Sequence, residues 1–373
     1  FSQEVNGFSP GDTINVSIPP RTTGQEDNFD ITSSIDEVVE EKKPIVLNKS
    51  GTTSFELDTL ELATEIDVRR ALTRFGIPFA EGMAQRIESR CMQIAADSTY
   101  NFTGTAGSNG FTVADVLAAR TKLNQDLCRP GDRALFMNSS SGAAAVDARK
   151  GLFQDSTQIA EQYKMGMVGR ADGFDWYETE LIPTHTNGND VTGLEVSVTA
   201  SEGASTLVVE GLTATTGTVT KGTTFTIAGI NKVHPITKSD LGVLQQFVVT
   251  ADATADGSGV ATLSISPSLY AGSDGLQNIT ALPADGDVIT VLSGAASTTY
   301  AQNIALHKNA FRFVSVPLAQ PKGVDLVATE TVDGITVNIV RDFDINKRRF
   351  ITRMDVLYAF DPVRPEWSTR LTV

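Results

Sequence analysis

Apolar and polar residues alternate from Asp12 to Ser17 and again from Phe29 to Val39, the period of a strand with one covered face. Pro19-Pro20 and a Gln-Glu-Asp-Asn cluster separate the two runs, and Glu40-Glu41-Lys42-Lys43-Pro44 follows the second. The pattern predicts an extended β-arm or long hairpin with a solvated, charged tip, poorly stable alone for want of a core partner. From Phe55 to Ala96 the period becomes helical: Leu62 and Ile66, then Phe79, Met83, Ile87, Cys91 and Ile94, recur at steps of three and four. Gly76-Ile77-Pro78 divides this run, and proline suits the first turn of a helix better than its middle. A helix of roughly 20 residues and about 30 Å is therefore expected from about Pro78 to Ser98.

Thr112-Val113-Ala114-Asp115 is a capping-box pattern and opens a helix to about Asp126. Arg129-Pro130-Gly131-Asp132 reads as a turn, Arg133 to Asn138 as a short buried strand, and Ser139 to Lys150 as an alanine-rich helix. Phe111 to Thr184 is thus a compact α+β unit. Further on, strands are expected at Thr223 to Ile227, Phe247 to Thr250 and Val260 to Ser266, with Asp256-Gly257 and Gly259 turning into the last. Short strands at turn-marked spacing predict a small barrel or sandwich. After Tyr300 the strands Ala310 to Val316, Gly334 to Phe343 and Phe350 to Phe360 resume the interrupted unit.

Charge marks the boundary of the inserted stretch. The 373 residues carry 30 Lys+Arg against 45 Asp+Glu, a net charge of -15. From Thr186 to Tyr300 only Lys221, Lys232 and Lys238 oppose ten acidic residues, leaving -7, while the other 258 residues carry -8. That middle stretch has no arginine and is rich in Thr, Val, Ala, Gly and Ser, a β-type composition for a separate module. With 40% hydrophobic residues the chain is too apolar for disorder, and its acidity argues against a nucleic-acid-binding domain. Cys91 and Cys128 make no disulfide framework and no CxxC pair. No apolar run is long enough to span a membrane, and no signal segment opens the sequence. The first residue is Phe1 in place of Met, so a preceding segment is expected.

The chemistry-bearing residues yield little. The three histidines, His185, His234 and His307, sit among turn residues with no GxSxG or HExxH nearby, and read as surface or capping groups. Gly217 to Gly222 imitates a phosphate loop, but Thr223 stands where lysine is required and strands flank it, so a β-turn is expected. Asp252, Thr254 and Asp256 imitate the start of a calcium loop, but Leu263 occupies the position of the bidentate glutamate. No catalytic residue, cofactor site or metal site is expected.

Three passages in this order carry a resemblance. They are Gly166 to Glu178 with Leu181-Ile-Pro-Thr-His185; Thr216 to Val233 with the Phe247 to Pro267 hairpin; and the ending Val363-Arg364-Pro365-Glu366. Together they resemble a tailed-bacteriophage major capsid protein of the Hong Kong 97 fold, and more closely the coat-protein family of short-tailed Salmonella-type phages with an inserted domain. The resemblance implies an α+β capsid fold with an extended β-loop, a long spine helix, peripheral and axial domains and an inserted β-barrel-like domain. Residues 1–54 would hold the N-terminal segment and extended loop, 55–105 the peripheral domain, 106–190 the axial domain and 191–299 the inserted domain. The axial domain would resume at 300–333, the peripheral hairpin would be 334–354, and 355–373 the axial C-terminal strand.

The function so implied is a structural subunit, not an enzyme, that assembles as hexamers and pentamers into an icosahedral shell around double-stranded DNA. Its partners would be copies of itself, with a scaffolding protein and portal during assembly and a decoration protein as an optional addition. Neither a membrane nor sequence-specific DNA contact is involved. It would be found in the virion capsid, assembled in the host bacterial cytoplasm. Arg69, Arg70, Arg74, Arg86 and Arg90 on the spine helix, with Lys42 and Lys43 in the loop, are the candidate intersubunit contacts. Within the helix, pairs such as Glu65 with Arg69 compete for the same charges. Loops Lys232 to Gly242 and Tyr270 to Gly275 are candidate contacts of the inserted domain. Loop lysines Lys42, Lys43 and Lys49 are also the candidates for intersubunit crosslinking, though a loop lysine is commonplace. A β-rich surface or tail-fibre adhesin is the alternative, suited to Val191 to Val291 but not to the helical sections; a glycan hydrolase comes third, for lack of a placed carboxylate pair.

Overall fold

Val68–Ser98 form one helix, α1, which runs straight through the expected break at Pro78. Proline there removes one backbone donor, at an interior cost of about 3 kcal/mol, but its fixed φ is itself helical. Pro78 is exposed, where water can take the carbonyl that loses its partner. Beyond it, Met83 and Ile87, with Phe79 and Cys91 beside them, bury one face against a sheet, and that burial outweighs the single lost bond.

This computed structural model describes residues 11–18, 41–58, 68–107, 112–149, 169–272, 276–332, 334–346 and 348–372. The alternating run Phe29 to Val39 and Glu65 lie outside them. Two units are distinguished by their internal contacts: the first within Phe1–Ile18, Glu41–Cys91 and Arg312–Asp361, the second within Pro19–Glu40, Met92–Phe311 and Pro362–Val373.

The first unit centres on the 14-residue strand Arg349–Pro362. Its sheet runs in the order Phe311–Val316, Arg349–Pro362, Ile335–Asp344, Leu326–Val332, and Lys49–Asp58 also pairs antiparallel with Arg349–Pro362. Alternation sorts the faces: Met354, Val356 and Tyr358 pack with Phe55, Met83 and Ile87 of the helix side, whereas Leu357 and Ala359 pack with Ile45, Leu47 and Val316. The second face is covered by the antiparallel pair Thr13–Ile18 and Glu41–Val46, the described base of the expected arm. The sheet therefore gathers Leu326–Val332 and residues 355–361, which the resemblance had allotted to the axial domain. Its strands are continuous in register, and the first unit accordingly runs from 312 to 361 in this part of the chain.

The second unit holds a seven-stranded sheet in the order Phe102–Thr103, Ser368–Thr372, Thr299–His307, Arg133–Met137, Phe174–Glu178, Arg170–Ala171, with Thr184–Thr186 paired to Thr299–His307. Helix α2, Val113–Gln125, carries the expected capping box between Thr112 and Asp115 and buries Val116, Ala119 and Leu123. Helix α3 is Ser139–Arg149.

Between Thr184–Thr186 and Thr299–His307 the chain makes a closed six-stranded antiparallel barrel. Its strands run Thr206–Glu210, Ala261–Ser266, Asp240–Val249, Thr224–Val233, Val288–Val291, Leu194–Val196 and back to the first. Phe225 and Phe247 stack at 5.7 Å inside it, among Leu194, Val209, Ile227 and Leu263. Of the two forms the sequence allowed, barrel and sandwich, the barrel is the one built.

Candidate functional site

In the first unit the expected contact residues fall on two elements. Arg86 and Arg90 are exposed, one turn apart, on the helix side of the five-stranded sheet. Burial pushes the Tyr358 phenol pKa up, and Arg90, which hydrogen-bonds it, pulls it back. Arg69, Arg70 and Arg74 lie earlier on α1. Lys42 and Lys43 stand on Glu41–Val46, in register with Ser17 and Val16, on the opposite side of the sheet. Among the described side chains, Lys43 lies on the other face of the sheet from Arg86 and Arg90. Lys49, the third crosslinking candidate, is held within its own unit, 3.6 Å from Asp361 and 3.0 Å from Asn48 Oδ1.

The second unit contains a buried polar junction between the barrel and the rest of that unit. Lys232, from the barrel strand Thr224–Val233, places Nζ 2.6 Å from Asp126, the C-cap of α2, with side-chain exposures of 10% and 5%. Asn101 Nδ2 donates to the other oxygen of Asp126 at 3.1 Å, and Trp367 Nε1 donates to its backbone carbonyl at 3.1 Å. Beside this pair, Gln246 of the barrel clamps strand Phe102–Thr103: its Oε1 accepts from Phe102 N at 2.8 Å and its Nε2 donates to Phe102 O at 3.1 Å. Lys122 of α2 also donates to Gln246 Oε1, at 2.8 Å. Burial, with Lys232 repelling it and Asp126 attracting it, draws the Lys122 pKa down to about 8.

All three lysines of the acidic module are therefore committed. Lys232 reaches Asp126, Lys221 reaches Asp97 near the end of α1 at 3.1 Å, and Lys238 donates to the carbonyl of Gln277 within the barrel. Two of its three cations thus dock the module. Composition alone marks the module as separate, but gives no sign that its few positive charges are the fasteners.

The histidines depart in part from expectation. His234 is a turn cap, its Nδ1 accepting from Ile236 N and Thr237 N. His307 also caps, accepting from Asn309 N, but it is buried and meets Trp367 edge-on at 5.2 Å. His185 is neither surface nor cap: it is buried, with Nε2 3.0 Å from Asn187 Oδ1, and burial with the nearby charge of Arg370 lowers its pKa to about 4. Gly222, with φ +90, passes so close that a Cβ there would stand 3.0 Å from His185 Nδ1 and 3.2 Å from Asp97 Oδ1. The phosphate-loop imitation is thus a tight β-turn region that seals His185.

The carboxylates of the calcium-loop imitation serve backbone instead. Asp256 Oδ1 accepts from Ser258 N and Val260 N, and Asp252 Oδ1 from Lys221 N. No group of three His, Cys, Asp or Glu side chains among the described residues could hold a metal ion. Among them also, no helix is long and apolar enough to cross a membrane.

A 31-residue helix, a hairpin base on one sheet and a barrel spliced into another are the elements that the resemblance implied. A family model described as P22 coat protein, gene protein 5, matches residues 10–371. The chain belongs to that coat-protein family, and is accordingly a structural major capsid protein of the phage virion. The family match supports the capsid reading over the adhesin and hydrolase alternatives. Among solved structures, the capsid of Ralstonia phage GP4 aligns with 100% of this chain and 86% of its own at 7% identity and a TM-score of 0.49. A chain of Mycobacterium phage Che8 aligns over 97% and 84% at 12% identity and a TM-score of 0.45. The CUS-3 coat protein I-domain is 27% identical over 27% of this chain and 95% of its own, with a TM-score of 0.21. No curated protein matches the chain.

Proposed function

We propose that this coat subunit assembles as hexamers and pentamers into an icosahedral shell around double-stranded DNA, without catalysis and without a cofactor. In this reading the first unit is the peripheral domain and the seven-stranded sheet of the second is the axial domain. The arm whose base is Thr13–Ile18 and Glu41–Val46 overlaps a neighbouring subunit. Arg86 and Arg90, with Arg69, Arg70 and Arg74, pair with acidic groups of neighbours, and Lys42 and Lys43 add contacts from the loop. A scaffolding protein and a portal act during assembly in the host cytoplasm, and a decoration protein is an optional later partner.

The family match over residues 10–371 carries the reading. The net charge of -15 supports it, because a wall facing packaged DNA must not bind the phosphate backbone. Sedimentation velocity across a salt series tests it. The native chain should move into capsomer- or shell-sized species, and Arg86→Ala/Arg90→Ala should weaken both that shift and its salt dependence. Unchanged assembly and salt dependence in the variant would remove these arginines from the interface. A chain that stays monomeric at every concentration would remove the reading itself.

A further inference from the structure

Arg370 stands in the middle of strand Ser368–Thr372, between Phe102–Thr103 and Thr299–His307, and is wholly buried. Its Nε, Nη1 and Nη2 find no hydrogen-bond partner among the described residues. The Phe102 ring centroid lies 5.9 Å from Cζ, the outer limit of a cation–π contact, and offers no hydrogen-bonding oxygen. Burial pulls the guanidinium pKa down only to about 10, so the group is a cation at neutral pH. A buried charge without hydrogen bonds is costly, and native interiors compensate it.

The neighbouring charges do not balance. Asp97 attracts Arg370, but its two oxygens are already engaged, one 3.1 Å from Lys221 Nζ and the other accepting from Gln93 Nε2 at 2.8 Å. Asp252 is exposed, where solvent screens it. His185, held neutral, contributes no charge. Lys221 is exposed as well, so among the described residues Asp97 is the one nearby part-buried counter-charge, and it is shared with Lys221 and makes no hydrogen bond to the guanidinium. On the same face of the sheet, Gln302 is in register with Thr372, two residues along from Arg370. Its Nε2 donates to Thr372 Oγ1 at 3.0 Å and Tyr300 O at 3.3 Å, while its Oε1 has no donor. Unmatched donors and an unmatched acceptor therefore line one buried surface. Water alone would satisfy the hydrogen bonds but leave the guanidinium charge compensated only in part, by Asp97.

We propose that Arg370 anchors an interior anion site, taking one small monovalent anion of halide size, with a water completing the contact to Gln302 Oε1. A single guanidinium charge only partly compensated by Asp97 selects a monovalent ion, and the full burial of Arg370 selects a small one. Occupancy links the stability of the second unit to anion concentration, since an ion that binds only the folded state stabilises it by mass action.

The test is thermal melting of the full-length chain in sodium chloride against sodium gluconate at equal ionic strength. Chloride at about ten times its dissociation constant should raise Tm by about 2–4 °C. Arg370→Met should lose the difference. Should that variant fail to fold, Gln302→Glu supplies a built-in anion on the same face; it should melt equally in both salts and higher than the native chain in gluconate. Crystals soaked in bromide should show anomalous density within hydrogen-bonding reach of the Arg370 guanidinium. Equal melting of the native chain in both salts, a Gln302→Glu variant that keeps the chloride response, or a guanidinium paired with Asp97 and no bromide beside it would each overturn the proposal.

Discussion

Lys232→Met isolates the strongest fastener between the barrel and the rest of the second unit. At 2.6 Å and an effective dielectric of about 20, the Lys232–Asp126 attraction is about 6 kcal/mol before desolvation. Because both groups are nearly buried, desolvation offsets most of that gross figure, and the net worth of the pair is far smaller. Breaking it from one side is a different matter, since the Asp126 carboxylate then remains buried with Asn101 as its neutral donor and Lys122 as the nearby cation. The expected loss is about 3 kcal/mol, the low end of the 3–5 kcal/mol range for a buried pair with one partner removed, because Lys122 takes over part of the charge. Asp126→Asn should cost a similar amount by stranding Lys232. The double variant strands neither, so it should lose about 1.5–3 kcal/mol less than the sum of the two. Urea unfolding followed by tryptophan fluorescence reads this directly, because Trp367 Nε1 is bonded to the Asp126 carbonyl and Trp176 lies in the same unit. Single variants costing under about 0.5 kcal/mol, or strict additivity of the pair, would refute the view that this contact holds the barrel down.

The pH dependence follows from two depressed pKa values. The Lys122 pKa falls from 10.5 unfolded to about 8 folded, so the unfolded chain binds more protons between those values and stability should rise across pH 8 to 10.5; Lys122→Met should flatten that rise in urea titrations. His185, lowered from 6.5 to about 4, is neutral when folded, so stability should fall as pH drops from 6.5 to 4, and His185→Gln should blunt that loss. Gly222→Ala should cost about 1–3 kcal/mol in thermal melts, because it forces a side chain into φ +90 and against His185 and Asp97. Residues 192–294 expressed alone should fold, as judged by dispersed amide NMR signals, since the barrel closes on its own strands; a collapsed spectrum would contradict an autonomous module.

What could be read in advance was local. The Thr112–Asp115 box spans one turn, and both of its reciprocal bonds are made. The alternation across residues 354–359 sorts side chains to two faces as a period of two demands. Turn-marked strands indicated a small β-module. Its closure was not visible, because the closing pair Leu194–Val196 with Val288–Val291 joins the two ends of the module. Pro78 misled because its cost is local, while the packing of Met83 and Ile87 that overrides it depends on strands from both ends of the chain. The docking junction was equally hidden: Gln246 meets Phe102 across 144 positions, and no spacing announces such a pair. Arg370 offered no signal, because Ser368 to Thr372 does not alternate and both faces of that strand are buried by distant segments.

The central claim is that this coat-family chain builds a closed shell from copies of itself. Electron microscopy of the purified protein, concentrated with and without an added scaffolding partner, tests it most directly. The account predicts isometric particles whose reconstructions show pentamers and hexamers, with the seven-stranded sheet nearest the symmetry axes of the capsomers. Discrete monomers under every condition, or open aggregates without five- and six-fold clusters, would contradict it.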